Sequence, residues 1–459
     1  MEQITKPHCG ARLDRLPDCR WHSSMFAIVA FGLLVCWSNA VGGLILAQLK
    51  ALGWTDNSTT ATFSAITTAG MFLGALVGGI IGDKTGRRNA FILYEAIHIA
   101  SMVVGAFSPN MDFLIACRFV MGVGLGALLV TLFAGFTEYM PGRNRGTWSS
   151  RVSFIGNWSY PLCSLIAMGL TPLISAEWNW RVQLLIPAIL SLIATALAWR
   201  YFPESPRWLE SRGRYQEAEK VMRSIEEGVI RQTGKPLPPV VIADDGKAPQ
   251  AVPYSALLTG VLLKRVILGS CVLIAMNVVQ YTLINWLPTI FMTQGINLKY
   301  SIVLNTMSMF GAPFGIFIAM LVMDKIPRKT MGVGLLILIA VLGYIYSLQT
   351  SMLLITLIGF FLITFVYMYV CYASAVYVPE IWPTEAKLRG SGLANAVGRI
   401  SGIAAPYAVA VLLSSYGVTG VFILLGAVSI IVAIAIATIG IETKGVSVES
   451  LSIDAVANK

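Results

Sequence analysis

The heptapeptide GDKTGRR at residues 82–88 has a second, degenerate copy, MDKIPRK, at residues 323–329. Each copy follows a long apolar run, and corresponding positions such as Asp83 and Asp324 lie 241 residues apart. Similarity at a fixed distance along a chain is the signature of an internal repeat. We therefore expect a chain built from two copies of one unit, each with a charged loop between two apolar segments.

The composition around these motifs is that of a membrane protein. Hydrophobic residues make up 56% of the 459 residues, and charged residues only 12%, against about 25% charged in soluble domains. This excludes a cytosolic enzyme, an extracellular domain and a disordered chain. The net charge of +10 does not indicate nucleic-acid binding, because no dense basic face is present.

Twelve runs are long and apolar enough to cross a bilayer. They lie near residues 25–49, 60–82, 91–107, 112–137, 150–174, 182–202, 266–292, 300–323, 332–350, 352–378, 391–415 and 418–441. The sequence thus predicts an all-α polytopic membrane protein with twelve transmembrane helices in two pseudo-symmetric six-helix halves.

The positive residues predict the orientation of these spans. Of the 33 Lys and Arg residues, 28 lie in the N-terminus, the C-terminal tail and alternate loops, and only Lys50, Arg181 and Lys299 lie on the other side. Because positive residues accumulate on the cytoplasmic side, both termini are expected there. Arg118 and Arg399 remain, and both fall inside predicted spans.

The same pattern predicts the domain limits. A charged, proline-containing segment separates the halves, and its apolar residues from Ala218 to Val229 recur at the spacing of an amphipathic helix. The predicted regions are a cytoplasmic N-terminus (1–24), a first bundle (25–202), a cytoplasmic linker with short helices (203–265), a second bundle (266–441) and a cytoplasmic tail (442–459).

Further motifs complete the pattern. They are RFVMGVGLGA (118–127), PESPRWL (203–209), PEIWPTEAKLRGSG (379–392) and ETKG (442–445). Together with GDKTGRR, these motifs resemble the major facilitator superfamily in its sugar-porter branch, and most closely the bacterial inner-membrane metabolite transport proteins of that family. The resemblance covers almost the whole chain. It implies alternating access around a site between two bundles.

Eight charged residues stand at the predicted inner ends of the spans, and the repeat pairs them. They are Asp83, Arg87, Glu138 and Arg145, and Asp324, Arg328, Glu380 and Arg389. Opposite charges at helix ends can tie neighbouring spans together. The resemblance implies two gating networks, extended by Arg88, Glu204, Arg207 and Glu442. The alternative is that these charges only anchor the topology.

Charged groups inside hydrocarbon are costly, so they indicate function by default. The resemblance places Arg118 and Arg399 on spans that line a cavity, one in each half, where both could face an anionic or polyhydroxy substrate. The alternative is that each pairs with a buried polar group and locks a helix. The other candidate substrate contacts are Asn39, Asn157, Gln280, Asn285 and Tyr372.

Two departures from the family pattern narrow this prediction. Ala275 and Met276 stand where hexose-type porters carry a glutamine pair, so a simple hexose is not expected. Ser38 stands where proton-coupled members carry an aspartate that faces the arginine of the fourth span. Arg118 is therefore expected to be an unpaired cation that can meet a substrate carboxylate, and the inference of proton symport is weakened.

Glu95 is a further charged residue well inside a predicted span, and His98 follows it one helical turn later. A local pairing of the two and a proton-carrying role for Glu95 are both open.

Small residues and prolines shape the spans. Gly70, Gly74, Gly78 and Gly82 recur every fourth residue along the second span, and we expect this face to let another backbone approach closely. Prolines within spans are expected to kink them, and they are Pro161, Pro172, Pro187, Pro288, Pro313 and Pro406.

We conclude from the sequence that the chain is a secondary transporter of a small polar metabolite such as a sugar acid, polyol, sugar or small organic acid, with proton coupling as the family default. It is expected in a bacterial inner membrane as a monomer, without cofactor or metal. A transporter-like sensor that binds without moving substrate is the alternative. An enzyme is not expected, because only three His occur and none has a ligand spacing.

Overall fold

The computed structural model describes residues 7–17, 19–33, 36–140, 145–240, 253–383 and 386–444. Every regular element in these ranges is helical. The first nine helices are α1 (Cys9–Asp14), α2 (Arg20–Leu33), α3 (Trp37–Ala51), α4 (Asn57–Thr85), α5 (Arg87–Ala106), α6 (Met111–Tyr139), α7 (Arg145–Asn157), α8 (Ser159–Leu170) and α9 (Ala176–Tyr201). The others are α10 (Pro206–Ser211), α11 (Tyr215–Thr233), α12 (Tyr254–Leu257), α13 (Gly260–Thr293), α14 (Leu298–Met309), α15 (Gly311–Val322), α16 (Arg328–Ser347), α17 (Met352–Val370), a π-helical turn (Cys371–Tyr377), α18 (Val378–Glu380) and α19 (Lys387–Ile439).

Within the described ranges, ten helical segments are long and apolar enough to cross a membrane. The fifth predicted span is broken into α7 and α8, each too short to cross alone. The last two predicted spans lie in one 51-residue segment, Arg389–Ile439, which leaves helical geometry at Gly417 (φ 65°, ψ −159°). The all-helical membrane fold is confirmed. The count of twelve stays a prediction. The ten segments would become twelve crossings if α7 and α8 together formed one crossing and α19 formed two.

Two of the helix breaks follow from proline. A proline clashes with the carbonyl group of the residue four positions earlier and removes its hydrogen bond. α7 ends at Asn157, four residues before Pro161, and α14 ends at Met309, four residues before Pro313. These two breaks therefore stand where that clash is expected, whereas Pro187, Pro288 and Pro406 lie inside helices that continue past them.

By compactness, the chain divides into two units that do not coincide with the predicted halves. Unit 1 contains Met1–Asn39, Gly70–Ser159 and Leu184–Gly246. Unit 2 contains Ala40–Ala69, Tyr160–Gln183 and Lys247–Lys459. Two pieces of the predicted first bundle, 40–69 and 160–183, thus belong to the unit that contains the second. The predicted domain limits stay a prediction.

In unit 1, α4 and α6 touch through their backbones. A Cβ atom on Gly70 would overlap the carbonyl oxygen of Phe119, and one on Gly74 would overlap that of Val123. Gly78 faces the backbone of Ala127 in the same way. The predicted close approach along the glycine face is confirmed for these three residues. Such contacts matter in a membrane because helix association there depends on close packing.

Unit 2 contains the same contact between α15 and α17. A Cβ atom on Gly311 would overlap the carbonyl oxygen of Phe360, and one on Gly315 would overlap that of Thr364. Each of these four residues lies 241 positions after its counterpart in unit 1, which is the spacing of Asp83 and Asp324. The internal repeat therefore extends from the charged loops to the packing of the helices.

At the charged end of unit 1, three short helices, α1, α10 and α11, form what we call the clasp. Their buried apolar residues share one cluster: Cys9, Leu13, Leu16, Trp208, Leu209, Ala218, Met222, Ile225 and Val229. The amphipathic helix predicted in the linker is thus confirmed as α11. The docking of α1 on it was not predicted, because the N-terminal residues have the composition of a polar, basic extension.

Charge pairs hold α1 on α11. Nη2 of Arg12 lies 2.7 Å from Oε2 of Glu226, and Nη2 of Arg15 lies 2.6 Å from Oε1 of Glu226. Arg12 also bonds Glu219. Burial opposes ionisation of Glu226, but the hydrogen bonds and charges of the two arginines outweigh it and hold its pKa below the ordinary value.

We expect Glu226→Gln to release α1. A carboxyl group whose pKa is lowered by docking stabilises the docked form above its ordinary pKa, and that stability is lost as the pH falls through the lowered value. Loss of charge-assisted hydrogen bonds is expected to raise amide exchange in residues 9–16 by at least about tenfold. Hydrogen–deuterium exchange of the reconstituted protein measures this. The exposed neighbour gives the control, because Glu227→Gln should exchange like the wild type. Equal exchange in the two variants would contradict the prediction.

Candidate functional site

The first charge network joins three helix ends in unit 1. Nε of Arg87 donates to Oε1 of Glu138 at 2.9 Å, and Nη1 of Arg87 donates to Oδ1 of Asp83 at 2.8 Å. Glu204 accepts from the backbone amides of Arg87 (2.6 Å) and Arg88 (3.2 Å). A carboxylate at this position complements the unpaired amides and the positive end of the α5 dipole.

Gly86 leaves room for that carboxylate. It precedes α5 with φ 97°, a left-handed value that favours glycine. A Cβ atom at this position would overlap the carboxylate of Glu204. The first glycine after Asp83 in the motif is thus required by both the turn and the approach of Glu204.

The second network repeats this geometry in unit 2. Nε and Nη2 of Arg328 donate to the two carboxylate oxygens of Glu380, at 3.0 and 3.1 Å, and Nη2 also donates to Asp324 at 3.1 Å. Glu442 accepts from the backbone amides of Arg328 (2.7 Å) and Lys329 (3.1 Å) at the start of α16. Six residues predicted from the motifs, with Glu204 and Glu442, therefore form two matching networks.

Two tyrosines that were not assigned to the networks extend both of them. The hydroxyl of Tyr139 donates to the carbonyl oxygen of Pro203 at 2.6 Å, and that of Tyr377 donates to the carbonyl oxygen of Ile441 at 3.0 Å. The backbone amide of Ile441 donates back to the hydroxyl of Tyr377 at 3.0 Å, so this contact also uses an N–H group that a proline at position 441 would lack. Each tyrosine holds the segment that carries the capping glutamate.

The remaining predicted network residues have other contacts. Arg88 reaches the carbonyl oxygen of Trp199. Arg207 bonds the carboxylate of Asp14 at 2.9 Å, so this ion pair lies within the clasp and not in the first charge network. The guanidinium of Arg389 lies 5.2 Å from the ring centre of Tyr254. The side chain of Arg145 lies outside the described part of the structure.

The clasp itself joins the first network. Nε1 of Trp208, on α10, donates to the carbonyl oxygen of Asp83 at 2.7 Å. Arg212, which follows α10, bonds the same carbonyl oxygen at 2.6 Å. The linker between the predicted halves is therefore fastened to the GDKTGRR loop through two side chains.

Arg118 is almost completely buried in unit 1, with 2% of its surface exposed. Its Nη1 donates to the carbonyl oxygen of Ser38 at 2.8 Å. The expectation of an unpaired cation is therefore wrong: the residue that lacks the family's carboxylate offers its backbone instead. Asn39 follows on the same helix and is buried. Asn157 donates to the carbonyl oxygen of Ser153 on its own helix at 2.8 Å.

The candidate substrate contacts in unit 2 include buried polar groups of Arg399 and Asn285. Nη1 of Arg399 is buried and has no hydrogen-bond partner among the described residues. Asn285 is buried on α13. Gln280 is half-buried on the same helix beside Tyr367. Tyr372 is fully buried, stacks on Tyr377 at 5.0 Å between ring centres, and packs against α16.

Unit 2 also contains contacts between segments that the sequence assigned to different bundles. Asn57, at the end of α4 away from Asp83, donates to Ser414 of α19 at 2.9 Å. Asn305 of α14 donates to Ser164 of α8 at 3.0 Å. Residues from both predicted bundles share one apolar cluster here, formed by Ala61, Trp286, Ile290, Val409, Ala410, Leu413 and Val421.

Glu95 lies in unit 1 at the contact of α5 with α9. Nδ1 of His98 is 3.8 Å from Oε2 of Glu95, and both side chains are 0% exposed. The hydroxyl of Ser191 on α9 lies 3.2 Å from the same ring nitrogen. Glu95 and His98 are therefore neighbours, at a distance longer than a hydrogen bond, with an adjacent serine that the sequence pattern did not identify. The choice between a local pairing and a proton-carrying role stays open.

Comparisons with known proteins agree with this architecture. A model of the Major Facilitator Superfamily matches residues 26–406. The inner membrane metabolite transport protein YdjE of Escherichia coli is 44% identical over 455 residues, 98% of this chain and 99% of the relative. The niacin transporter NiaP of Acinetobacter baylyi is 26% identical over 96% of this chain and 99% of its own. The xylose transporter XylE of E. coli, solved in a partially occluded inward-open conformation, aligns with a TM-score of 0.73 and 18% identity, covering 93% of this chain and all of that one.

Proposed function

The chain belongs to the major facilitator superfamily and transports small metabolites across a membrane, and we propose that its substrate is a small carboxylated or polyhydroxylated molecule, moved by alternating access. We place it in the bacterial inner membrane, with both termini in the cytoplasm. The excess of positive residues on one side of the predicted spans supports this orientation.

The matching charge networks carry the proposal. Arg87 and Arg328 hold equivalent carboxylates in the two copies of the repeat, and within unit 2 polar and apolar contacts join segments of both predicted bundles. Many secondary transporters consist of two repeated bundles that rock against each other, so that a site between them opens to one side of the membrane at a time. We propose that these networks hold the helix ends of each copy as one body when the opposite end opens and closes.

The candidate contacts favour an acidic or hydroxylated substrate. Arg399 has a buried guanidinium nitrogen without a hydrogen-bond partner among the described residues, and Asn39 and Asn285 supply buried amides. A guanidinium binds a carboxylate through paired hydrogen bonds, and amides bind hydroxyl and carboxyl groups. The relative NiaP is named as a niacin transporter, and niacin also carries a carboxylate.

We expect Arg399→Gln to weaken transport of the carboxylated substrate. Loss of a hydrogen bond between two charged groups corresponds to a 10- to 100-fold rise in KM, roughly. Uptake into proteoliposomes would be measured for a panel of sugar acids, small organic acids, polyols and neutral sugars. Arg118→Gln is a second test, and Arg223→Gln, at an exposed arginine of α11, is the control.

The proposal fails if the preferred substrate is neutral and both Arg118→Gln and Arg399→Gln transport it normally. Specific binding without flux in the wild type would instead indicate the sensor. Normal carboxylate uptake by Arg223→Gln with loss in Arg399→Gln supports the assigned substrate class.

A further inference from the structure

A buried group of titratable side chains lies within the helices of unit 1. Glu95 and His98 on α5 are both 0% exposed, and Ser191 of α9 completes the group. Neither carboxylate oxygen of Glu95 has a hydrogen bond of normal geometry among the described residues, although Ser191 lies next to it. Nε2 of His98 also has none there.

An ionised carboxylate cannot remain alone in such surroundings. Burying a charge without compensating hydrogen bonds is so unfavourable that the group takes up a proton instead. One proton shared by Glu95 and His98 removes the net charge, either as a carboxylic acid beside a neutral imidazole or as a carboxylate beside an imidazolium. Apart from Asp112, which begins the fourth predicted span, Glu95 is the only acidic residue inside those spans. We therefore expect the pair to hold one proton in this conformation.

Three elements of unit 1 supply the other groups around the pair. On α5 itself, the hydroxyl of Tyr94 donates to the carbonyl oxygen of Gly78 on α4 at 2.8 Å, so it does not donate to the pair. From α9, Ser191 faces His98. From α6, Gly124 packs against the backbone of His98, and Arg118 lies six residues earlier on the same helix. Among the charged residues of α6, Arg118 is the nearest in sequence to this contact.

We propose that Glu95, His98 and Ser191 form the proton-carrying site of a proton-coupled transport cycle, in place of the carboxylate that Ser38 lacks. This inference rests on the proposed function. The proton binds to the pair from the side at high proton concentration and leaves to the other side. Only an O–H or N–H bond forms and breaks, and no redox step is involved. Ser191 acts as a positioning residue that orients the imidazole.

Arg118 couples this site to the substrate. When the pair is protonated it is neutral, and Arg118 donates to the carbonyl oxygen of Ser38 as the structure describes. When the pair loses its proton it carries a net negative charge, which attracts the guanidinium and competes with a substrate carboxylate. Binding of an acidic substrate and binding of the proton therefore favour each other, which is the linkage that symport requires.

The first test does not depend on the substrate. Infrared difference spectra of the reconstituted wild type, recorded over a pH series, would detect the C=O band of a protonated carboxylic acid. We expect a band that is lost in Glu95→Gln and retained in Asp112→Asn, which removes an exposed carboxylate at the start of α6. If Glu95→Gln removes no such band, Glu95 is not protonated. The proton site then stands only if the wild type shows an imidazolium signal that His98→Gln removes, and it is overturned if neither signal is found.

The second test measures coupling with the panel member that the wild type transports. A gradient of one pH unit can drive about tenfold accumulation in a one-proton symport. We expect Glu95→Gln to accumulate nothing above equilibrium while it keeps substrate counterflow, and Ser191→Ala to shift the pH profile of uptake without abolishing it. Asp112→Asn should accumulate like the wild type.

The outcomes separate the two proposals. Accumulation by Glu95→Gln equal to that of the wild type overturns the proton site. A wild type that transports substrate but ignores the pH gradient also overturns it and leaves the proposed function intact. If no panel member is transported, the proposed function fails, and the infrared series alone decides whether Glu95 and His98 hold the proton.

Discussion

Alanine at position 74 is expected to prevent α4 and α6 from packing and to abolish transport. The added Cβ atom would overlap the carbonyl oxygen of Val123, which is backbone and cannot rotate away. Overpacking costs about 1–3 kcal/mol in well-packed cores and more where nothing can yield. The helices would have to separate along their length, which removes the close packing on which association in a membrane depends.

The same helix supplies a matched control. A Cβ atom on Gly79 meets no described residue within 4 Å, so Gly79→Ala makes the same chemical change on α4 without a clash. The measurements are the yield of monodisperse protein, its thermal unfolding temperature and proteoliposome uptake. Gly315→Ala, the equivalent substitution in the second copy, should behave like Gly74→Ala. A Gly74→Ala protein as stable and active as Gly79→Ala would show that the helix contact is wrongly described.

These glycines illustrate what the sequence could predict. The four-residue spacing identified a packing face on α4, since residues at i and i+4 share one side of a helix. The spacing did not identify the partner helix. Once the helices are placed, Gly70 and Gly311, and their partners Phe119 and Phe360, prove to follow the same 241-residue offset.

The charge networks were predictable because side chains of opposite charge recur in both copies. The tyrosine contacts were not, because Tyr139 follows Glu138 by one residue whereas Tyr377 precedes Glu380 by three. In a helix with 3.6 residues per turn, the residue one position after the glutamate and the residue three positions before it lie on nearly the same side. The π-helical turn at Cys371–Tyr377 also shifts the register of the second copy. Linear alignment of the two halves therefore hides the correspondence.

Backbone acceptors explain the wrong expectation for Arg118. The residue type at position 38 showed that the side-chain carboxylate of the family is absent there. It could not show that the backbone carbonyl oxygen of Ser38 accepts the hydrogen bond instead, although every residue has such an oxygen. The docking of α1 could not be predicted for a related reason. Arginines near the N-terminus are expected as cytoplasmic topology signals, and their sequence does not show that Glu219 and Glu226 lie against Arg12.

Arg328→Gln is expected to have the second large effect. The side chain of Arg328 is 7% exposed and binds Glu380 through two hydrogen bonds. Removing one member of a buried ion pair costs about 3–5 kcal/mol, because the other charge is left without compensation. We expect a loss near the lower limit, since Glu380 is 34% exposed and still accepts a hydrogen bond from Thr443. Thermal unfolding and proteoliposome uptake would both fall sharply.

Two further variants separate the loss of a charge from the loss of this contact. Lys325→Gln removes one positive charge from an exposed side chain in the same loop, and should unfold and transport like the wild type. Arg328→Gln combined with Glu380→Gln removes the uncompensated carboxylate, so it should recover part of the stability lost in the single variant. It should not recover transport, because α18 is no longer tied to the start of α16. A double variant no more stable than Arg328→Gln would mean that the carboxylate of Glu380 is well solvated and that the network stabilises the helix ends by packing instead of charge.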